Sequence, residues 1–220
     1  MKRAVCALVS GGLDSSVMLA ELARRYHKVY PVFIRYGLVW EMAELQHLKK
    51  FLRSAKIPRV QPLMVLDLPV LDLYGAHWST TGRKVPHART RDEAVYLPGR
   101  NLLLLSKAAV FCALNSIDAI AIGSLDHNPF PDAAPGFFNR FGAAASNALG
   151  FRIKIIAPFR TLTKDHVVRR GLRFNLPLHL SFSCLAPKNG LPCGHCNKCA
   201  ERRHAFRLAG VPDRLRSARS

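Results

Sequence analysis

Five short apolar runs, separated by segments with helical spacing, constrain this chain more than any other feature. They are RAVCALV (3–9), VYPVFI (29–34), VQPLMVL (60–66), DAIAIG (118–123) and RIKIIAPF (152–159). A near-continuous run such as the first marks a strand covered on both faces, as in a parallel sheet. Between the runs, Val17, Leu19, Leu22 and Ala23 fall at helical spacing, as do Leu45, Leu48 and Leu52 within Glu41–Leu52. Further helices are expected over 101–114 (NLLLLSKAAVFCAL), Phe137–Leu149 and Thr163–Gly171. Asn101 and Thr163 read as helix caps and Gly171 as a helix stop. Pro62 weakens the start of the third strand. Strands alternating with helices from the first residues predict an α/β fold, a doubly wound, mostly parallel five-stranded sheet. Residues 67–98 lack periodicity, and a connection of that length in a compact domain is functional or mobile.

The junction of the first strand and first helix carries Ser10-Gly11-Gly12-Leu13-Asp14-Ser15-Ser16. Adjacent glycines let a bound group approach the backbone. The helix beyond points its unpaired N–H groups and positive dipole end at the turn. With hydroxyls from Ser10, Ser15 and Ser16 this is an anion cradle suited to phosphate, at the strand end where α/β sheets bind ligands. The turn has neither the Lys-Ser/Thr ending of a Walker A loop nor Gly-x-Gly-x-x-Gly spacing. It resembles the SGGxDS signature of the ATP-pyrophosphatase (PP-loop) superfamily. Those enzymes cleave ATP between the α and β phosphates and hold the leaving pyrophosphate in this turn.

Six cysteines are present, and four crowd into Cys184, Cys193, Cys196 and Cys199. Four soft ligands within sixteen residues, amid Pro187, Gly190, Pro192 and Gly194, suit a closed tetrahedral zinc site of structural type. An iron–sulfur cluster uses the same ligands; no redox motif accompanies them, which favours zinc. His195 reads as a rim residue, and Cys6 and Cys112 as buried thiols.

The glycine turn together with this cysteine spacing resembles the 7-cyano-7-deazaguanine synthase family, from about residue 3 to about residue 208. The likeness includes PGRNLLLLSKAAV (98–110), the Gly123–Asp132 loop, the APFRTLTK segment ending at Lys164, and SC…CGHCNKC (183–199). The resemblance implies that ATP adenylates the carboxylate of 7-carboxy-7-deazaguanine. Ammonia then displaces AMP to give an amide, and a second adenylation yields the nitrile. It implies an ATP site of Leu8, Val9, Ser10–Ser16, Arg100, Asn101 and Gly123, with Ser10, Asp14 and Lys164 in catalysis. Mg²⁺ is expected with the ATP phosphates, with Asp14 as its ligand or simply a helix N-terminal acid. Lys164 is the phosphate-reaching lysine or a solvated residue in a first helical turn. Tyr36, Asp126, Phe130 and Asp132 are candidates for the substrate rim, Phe130 alternatively for packing. Family members are commonly dimers, so the resemblance extends to a homodimer.

Two segments depart from the family pattern. The Tyr-Gly-Gln-Arg-His run of typical members reads Tyr36-Gly37-Leu38-Val39-Trp40 here. The Ser-Gly-Tyr-Pro-Asp-Cys-Arg loop reads Asn128-Pro129-Phe130-Pro131-Asp132-Ala133-Ala134. The activation half of the site is kept and the substrate half altered. A branch acting on another carboxylate, or on a modified deazapurine, is the alternative reading.

Lys and Arg outnumber Asp and Glu by 33 to 14, for a net charge of +19. Such a field attracts polyanions, nucleotide or nucleic acid. A tRNA-modifying PP-loop enzyme is therefore a competing reading, and a non-catalytic nucleotide-binding module a third. No apolar run reaches the 18 or so residues of a membrane span, and no signal-peptide pattern opens the chain; a cytoplasmic protein is expected. The expected organisation is a catalytic domain over 1–180, a cysteine module with a terminal helix over 181–210, and a solvated, frayed basic tail over 211–220.

Overall fold

The computed structural model describes residues 2–126 and 128–218. In chain order it holds β1 (Lys2–Leu8), α1 (Leu13–Ala23), β2 (Tyr26–Arg35), α2 (Glu41–Ala55) and β3 (Met64–Asp67). Two single-turn helices follow, α3 (Leu71–Tyr74) and α4 (Trp78–Thr81). Then come α5 (Arg100–Leu114), β4 (Ala119–Ala121), α6 (Pro135–Leu149), β5 (Lys154–Ile156), α7 (Lys164–Arg173) and α8 (Asn197–Ala209).

The strands form one parallel sheet in the order β3-β2-β1-β4-β5. Its hydrophobic faces are covered separately. Val5 and Ala7 of β1 pack with α1, α2, α7 and α8, whereas Cys6 and Leu8 pack with α5, α6 and the cysteine segment. The period-2 alternation of a strand between two helical layers explains why every residue from Val5 to Leu8 had to be apolar. The chain reverses direction across the sheet between β1 and β4, the switch point where such sheets open a crevice at their carboxyl ends.

All five strands fall within or around the expected runs, but the third, fourth and fifth are shorter. Val60 makes only an isolated bridge to Val29, and the continuous pairing of β3 starts at Met64, beyond Pro62. Proline has no N–H to give to the ladder.

Three local readings are corrected. Asn101 does not cap α5: Gly99, at φ +70°, precedes the helix, and Asn101 lies in its first turn. Thr163 occupies the cap position of α7, but its hydroxyl bonds Asp165 (2.5 Å) and His166 (2.7 Å) instead of a backbone N–H. Gly171 does not stop that helix, which runs on to Arg173. A Cβ at Gly171 would lie 2.7 Å from Leu178 Cδ2 and 2.9 Å from Val17 Cγ2, so this glycine permits close packing of α7 on α1.

The tail is likewise not frayed over the described residues. Asp213 takes two bonds from Arg202 (2.6 and 3.0 Å), and Ala218 N–H donates to the Pro192 carbonyl at 2.8 Å. Arg219 and Ser220 lie outside the described residues.

Candidate active site

A cleft of about 360 Å³ opens at the carboxyl ends of β1 and β4. Its floor is the turn between β1 and α1. Gly11 adopts φ +76°, and a Cβ there would lie 2.6 Å from the Glu44 carbonyl oxygen, so only glycine fits. The serines brace the turn. Ser15 Oγ accepts from Ser10 N–H and donates to the Gly12 carbonyl, both at 3.2 Å, while Gly12 N–H donates to Ser10 Oγ at 3.2 Å. The first α1 amide bonded within the helix is that of Ser16, to the Gly12 carbonyl. Among the described residues the N–H groups of Leu13, Asp14 and Ser15 therefore have no partner at the cleft, with the helix dipole behind them.

Several of the anticipated residues converge here. Leu8, Val9, Ser10, Gly12, Leu13 and Asp14 line the cleft, joined by Gly123 beyond β4 and Lys164 at the start of α7. A Cβ on Gly123 would meet Asp14 and the Ser15 amide at 3.5–3.7 Å, an ordinary contact, so that glycine is not forced by packing. Tyr36, Arg100, Asn101, Asp126, Phe130 and Asp132 line the opposite wall. Ser16 is not brought there: it is fully buried and its hydroxyl finds no partner among the described residues. Gly11 shapes the turn from behind rather than facing the cleft.

Lys164 Nζ lies 3.3 Å from Asp14 Oδ2 and 2.7 Å from Glu201 Oε1, and Lys198 Nζ lies 2.8 Å from Glu201 Oε2. This chain of four charges ties α1, α7 and α8 together at the phosphate turn. Burial works to lower the Lys164 pKa, but Asp14 and Glu201 outweigh it and the net shift is upward. Burial likewise opposes ionisation of Glu201, yet Lys164 and Lys198 bring its carboxyl down to about 2. For Asp14 burial prevails over the attraction of Lys164, and its pKa rises. The Asp14 Oδ1 atom is buried with no hydrogen-bond partner among the described residues. An orphaned carboxylate oxygen beside a phosphate turn is the donor a divalent cation needs, so the residues fit Mg²⁺.

Lys198 and Glu201 were missed in the sequence, because Lys198 stands between Cys196 and Cys199 and reads as part of a metal motif. Their i, i+3 spacing on one helix was the available signal. Glu44, in the first turn of α2, was missed as well.

The far wall is built differently. Asp132 is buried, and its Oδ2 accepts the Asn101 N–H at 2.8 Å, while Asn101 Nδ2 reaches the Asp132 carbonyl at 3.2 Å. Asp132 is thus the cap that α5 lacks locally. Tyr36 is buried and donates its hydroxyl to the Arg100 carbonyl at 3.2 Å; burial raises its pKa. Glu41 accepts from the N–H groups of Tyr36 and Gly37 (2.9 Å for the latter), which folds the segment between β2 and α2. Trp40 stacks on Trp78 (5.6 Å, 18°) and Tyr96 on Phe130 (5.0 Å, 29°), and all four rings face the cleft.

The sulfur atoms of Cys184, Cys193, Cys196 and Cys199, all buried, lie within 4.8 Å of one another. Backbone N–H groups of Ala186 and Cys193 donate to the Cys184 sulfur (3.3 and 3.2 Å), and that of Leu185 to the Cys196 sulfur (3.4 Å). Donors aimed at sulfur stabilise thiolates, so the donor set fits a tetrahedral soft-metal site. His195 turns Nδ1 to the Cys193 carbonyl at 2.9 Å and stands apart from the four sulfurs. The segment is joined to the active site: Phe182 N–H donates to the Gly11 carbonyl at 2.8 Å, and Cys199 shares α8 with Lys198 and Glu201.

The family model described as "Queuosine biosynthesis protein QueC" matches residues 3–210. A 7-cyano-7-deazaguanine synthase of Leptospira interrogans is 34% identical over 217 residues, covering 94% of this chain and 88% of the relative. Those of Syntrophobacter fumaroxidans (32%, covering 99% and 97%) and Stenotrophomonas maltophilia (32%, covering 97% and 98%) are similar along nearly their whole length. Among solved structures, the U34-tRNA thiolase NcsA of Methanococcus maripaludis with its [4Fe-4S] cluster aligns with a TM-score of 0.53 at 14% identity. It covers 95% of this chain and 73% of that one, and establishes likeness of fold alone. With the phosphate turn, the four-cysteine cluster and the full-length match to the family model, the chain belongs to the queuosine biosynthesis protein QueC family.

Proposed function

We propose that this chain uses ATP to convert 7-carboxy-7-deazaguanine and ammonia into 7-cyano-7-deazaguanine, through an acyl-adenylate and an amide. The observation that carries the reading is the convergence of Asp14, with its orphaned oxygen, and Lys164 on a turn that leaves three amides without a partner among the described residues. These groups are aimed where negative charge develops as pyrophosphate leaves, and preorganised donors of that kind dominate such catalysis. Lys164 is held over the helix N-terminus by two carboxylates, from where it can exchange one for a phosphate oxygen. Mg²⁺, held by Asp14, would neutralise phosphate charge. Zinc held by the four cysteines would be structural and fix α8 in place. Ser10 and Ser15 keep the turn in shape, while Arg100 and Asn101 stand on the wall facing it.

A second reading has its own observation. The wall carries two stacked aromatic pairs and Leu38, while Asp132 and Tyr36 already spend hydrogen bonds on α5. A less polar flat carboxylate suits such a wall, with the adenylation half unchanged.

The test is turnover of metal-loaded protein with ATP, ammonia and 7-carboxy-7-deazaguanine, followed by mass. Nitrile with AMP and pyrophosphate is the expected outcome. Adenylation of other aromatic carboxylates in preference would establish the second reading, and no AMP with any carboxylate would overturn both.

A further inference from the structure

The carboxyls around the cleft are nearly all committed. Glu41 folds the segment after β2, Asp132 caps α5, and Glu201 holds Lys164 and Lys198. Asp14 has one oxygen on Lys164 and the other beside the phosphate turn. Glu44 is the exception. It lines the cleft from the first half of α2, partly buried, and its carboxyl makes no hydrogen bond or ion pair among the described residues. Its backbone carbonyl packs on Gly11, so its Cα is fixed against the phosphate turn. Side chains on a helix lean toward its N-terminus, and for α2 that end carries Tyr36 and Trp40, on the side of the aromatic wall.

We infer that Glu44 is the general base of the nitrogen-transfer step, accepting the proton that the attacking ammonia releases. The assignment rests on the proposed function. Ammonia forms the C–N bond at the acyl carbon, the bond from that carbon to the AMP oxygen breaks, AMP leaves with the electron pair, and one N–H proton passes to the Glu44 carboxylate. The charged groups facing Glu44 are Arg100 from α5 and Glu41 one turn back on its own helix. Desolvation, reinforced by Glu41 and opposed by Arg100, raises its pKa to about 8. A carboxylate that basic is matched to an amine proton at neutral pH, as an ordinary one is not.

The test compares the metal-loaded protein with its Glu44→Gln variant. ATP–pyrophosphate exchange reports adenylation. Amide formed from ammonia, and hydroxamate formed from hydroxylamine, which attacks as a neutral molecule with less need of a base, report the second step. The variant is expected to keep exchange and hydroxamate formation while amide formation falls by ~100-fold or more. At fixed free ammonia, its amide rate should also lose the rise with pH that centres near 8 in the wild type. Wild-type amide formation in the variant would overturn the assignment. Loss of exchange, amide and hydroxamate together would overturn it too, by making Glu44 structural. If the wild type itself forms neither amide nor hydroxamate, the functional reading fails, and this one with it.

Discussion

Lys164 sits between two carboxylates, and its neighbour Glu201 between two lysines. The Glu201 pKa falls from 4.5 to about 2, because Lys164 and Lys198 overcome the cost of burial. A carboxyl depressed in the folded state stabilises the fold above its unfolded pKa and loses that contribution as pH falls through the folded one. The stability from Glu201 is therefore complete above about pH 4.5 and gone by about pH 2. Glu201→Gln should flatten the acid limb of a stability–pH curve across that window, measured by urea unfolding at a series of pH values. An unchanged limb would mean that the lysines find other counter-charges. Lys164 and Asp14 were legible in the sequence because each belongs to a local motif beside a glycine turn or a helix start. Glu201 and Glu44 were not, since the contacts that place them at the site, Lys164 for the one and Gly11 for the other, lie more than thirty positions away and are brought close by the fold. Asp132 was legible only as a residue of interest. Its placement makes it a cap of α5, whatever it adds at the substrate rim.

That capping contact gives the element scale its clearest test. α5 begins after a glycine in the left-handed region and has no cap of its own, so its first-turn amides depend on a carboxylate from the loop before α6. Removing an acidic cap costs about 1 kcal/mol, with a dipole contribution of similar size. Asp132→Ala should lower the melting temperature by roughly 2–4 °C for each kcal/mol lost in a chain of this size. Because Arg100 is the first residue of α5, the same variant should raise KM for the carboxylate more than it lowers kcat for adenylation. Gly171→Ala tests the opposite side of the sheet. The added methyl would press on Leu178 and Val17 at under 3 Å, and overpacking of this kind costs about 1–3 kcal/mol. A lower melting temperature with unchanged kinetics is expected. Strand and helix order were readable because apolar periodicity survives in a single sequence. Caps and stops were not, because α5 is capped across the fold and Gly171 answers to a neighbouring helix instead of ending its own.

Across the whole molecule, the cysteine segment is joined both to the sheet and to the active site. Its sequence spacing pointed to a metal site, and the four sulfurs do converge as such a site needs. What spacing could not tell is that Phe182 is hydrogen-bonded to the phosphate turn and that α8, which carries Cys199, sets Glu201 against Lys164 of α7. Residues 182–199 also contribute to the same core as Cys6 and Leu8 of β1, so the segment does not fold apart from the sheet. Four buried sulfurs within 4.8 Å repel as thiolates unless a cation neutralises them. Stripping the metal should then release α8, with it Lys198 and Glu201, and so loosen Lys164. The expected result is that a chelator strong enough to empty the site lowers the melting temperature and abolishes ATP–pyrophosphate exchange in parallel. Readdition of zinc should restore both, with about one metal per chain by elemental analysis. Cys184→Ser should reproduce the loss, since its sulfur receives two of the backbone donors and belongs to the four-sulfur cluster. If exchange persists in metal-free protein that has lost thermal stability, the cysteine segment is a staple only, and the α8 charges hold their places through Asp14 and Lys164 alone.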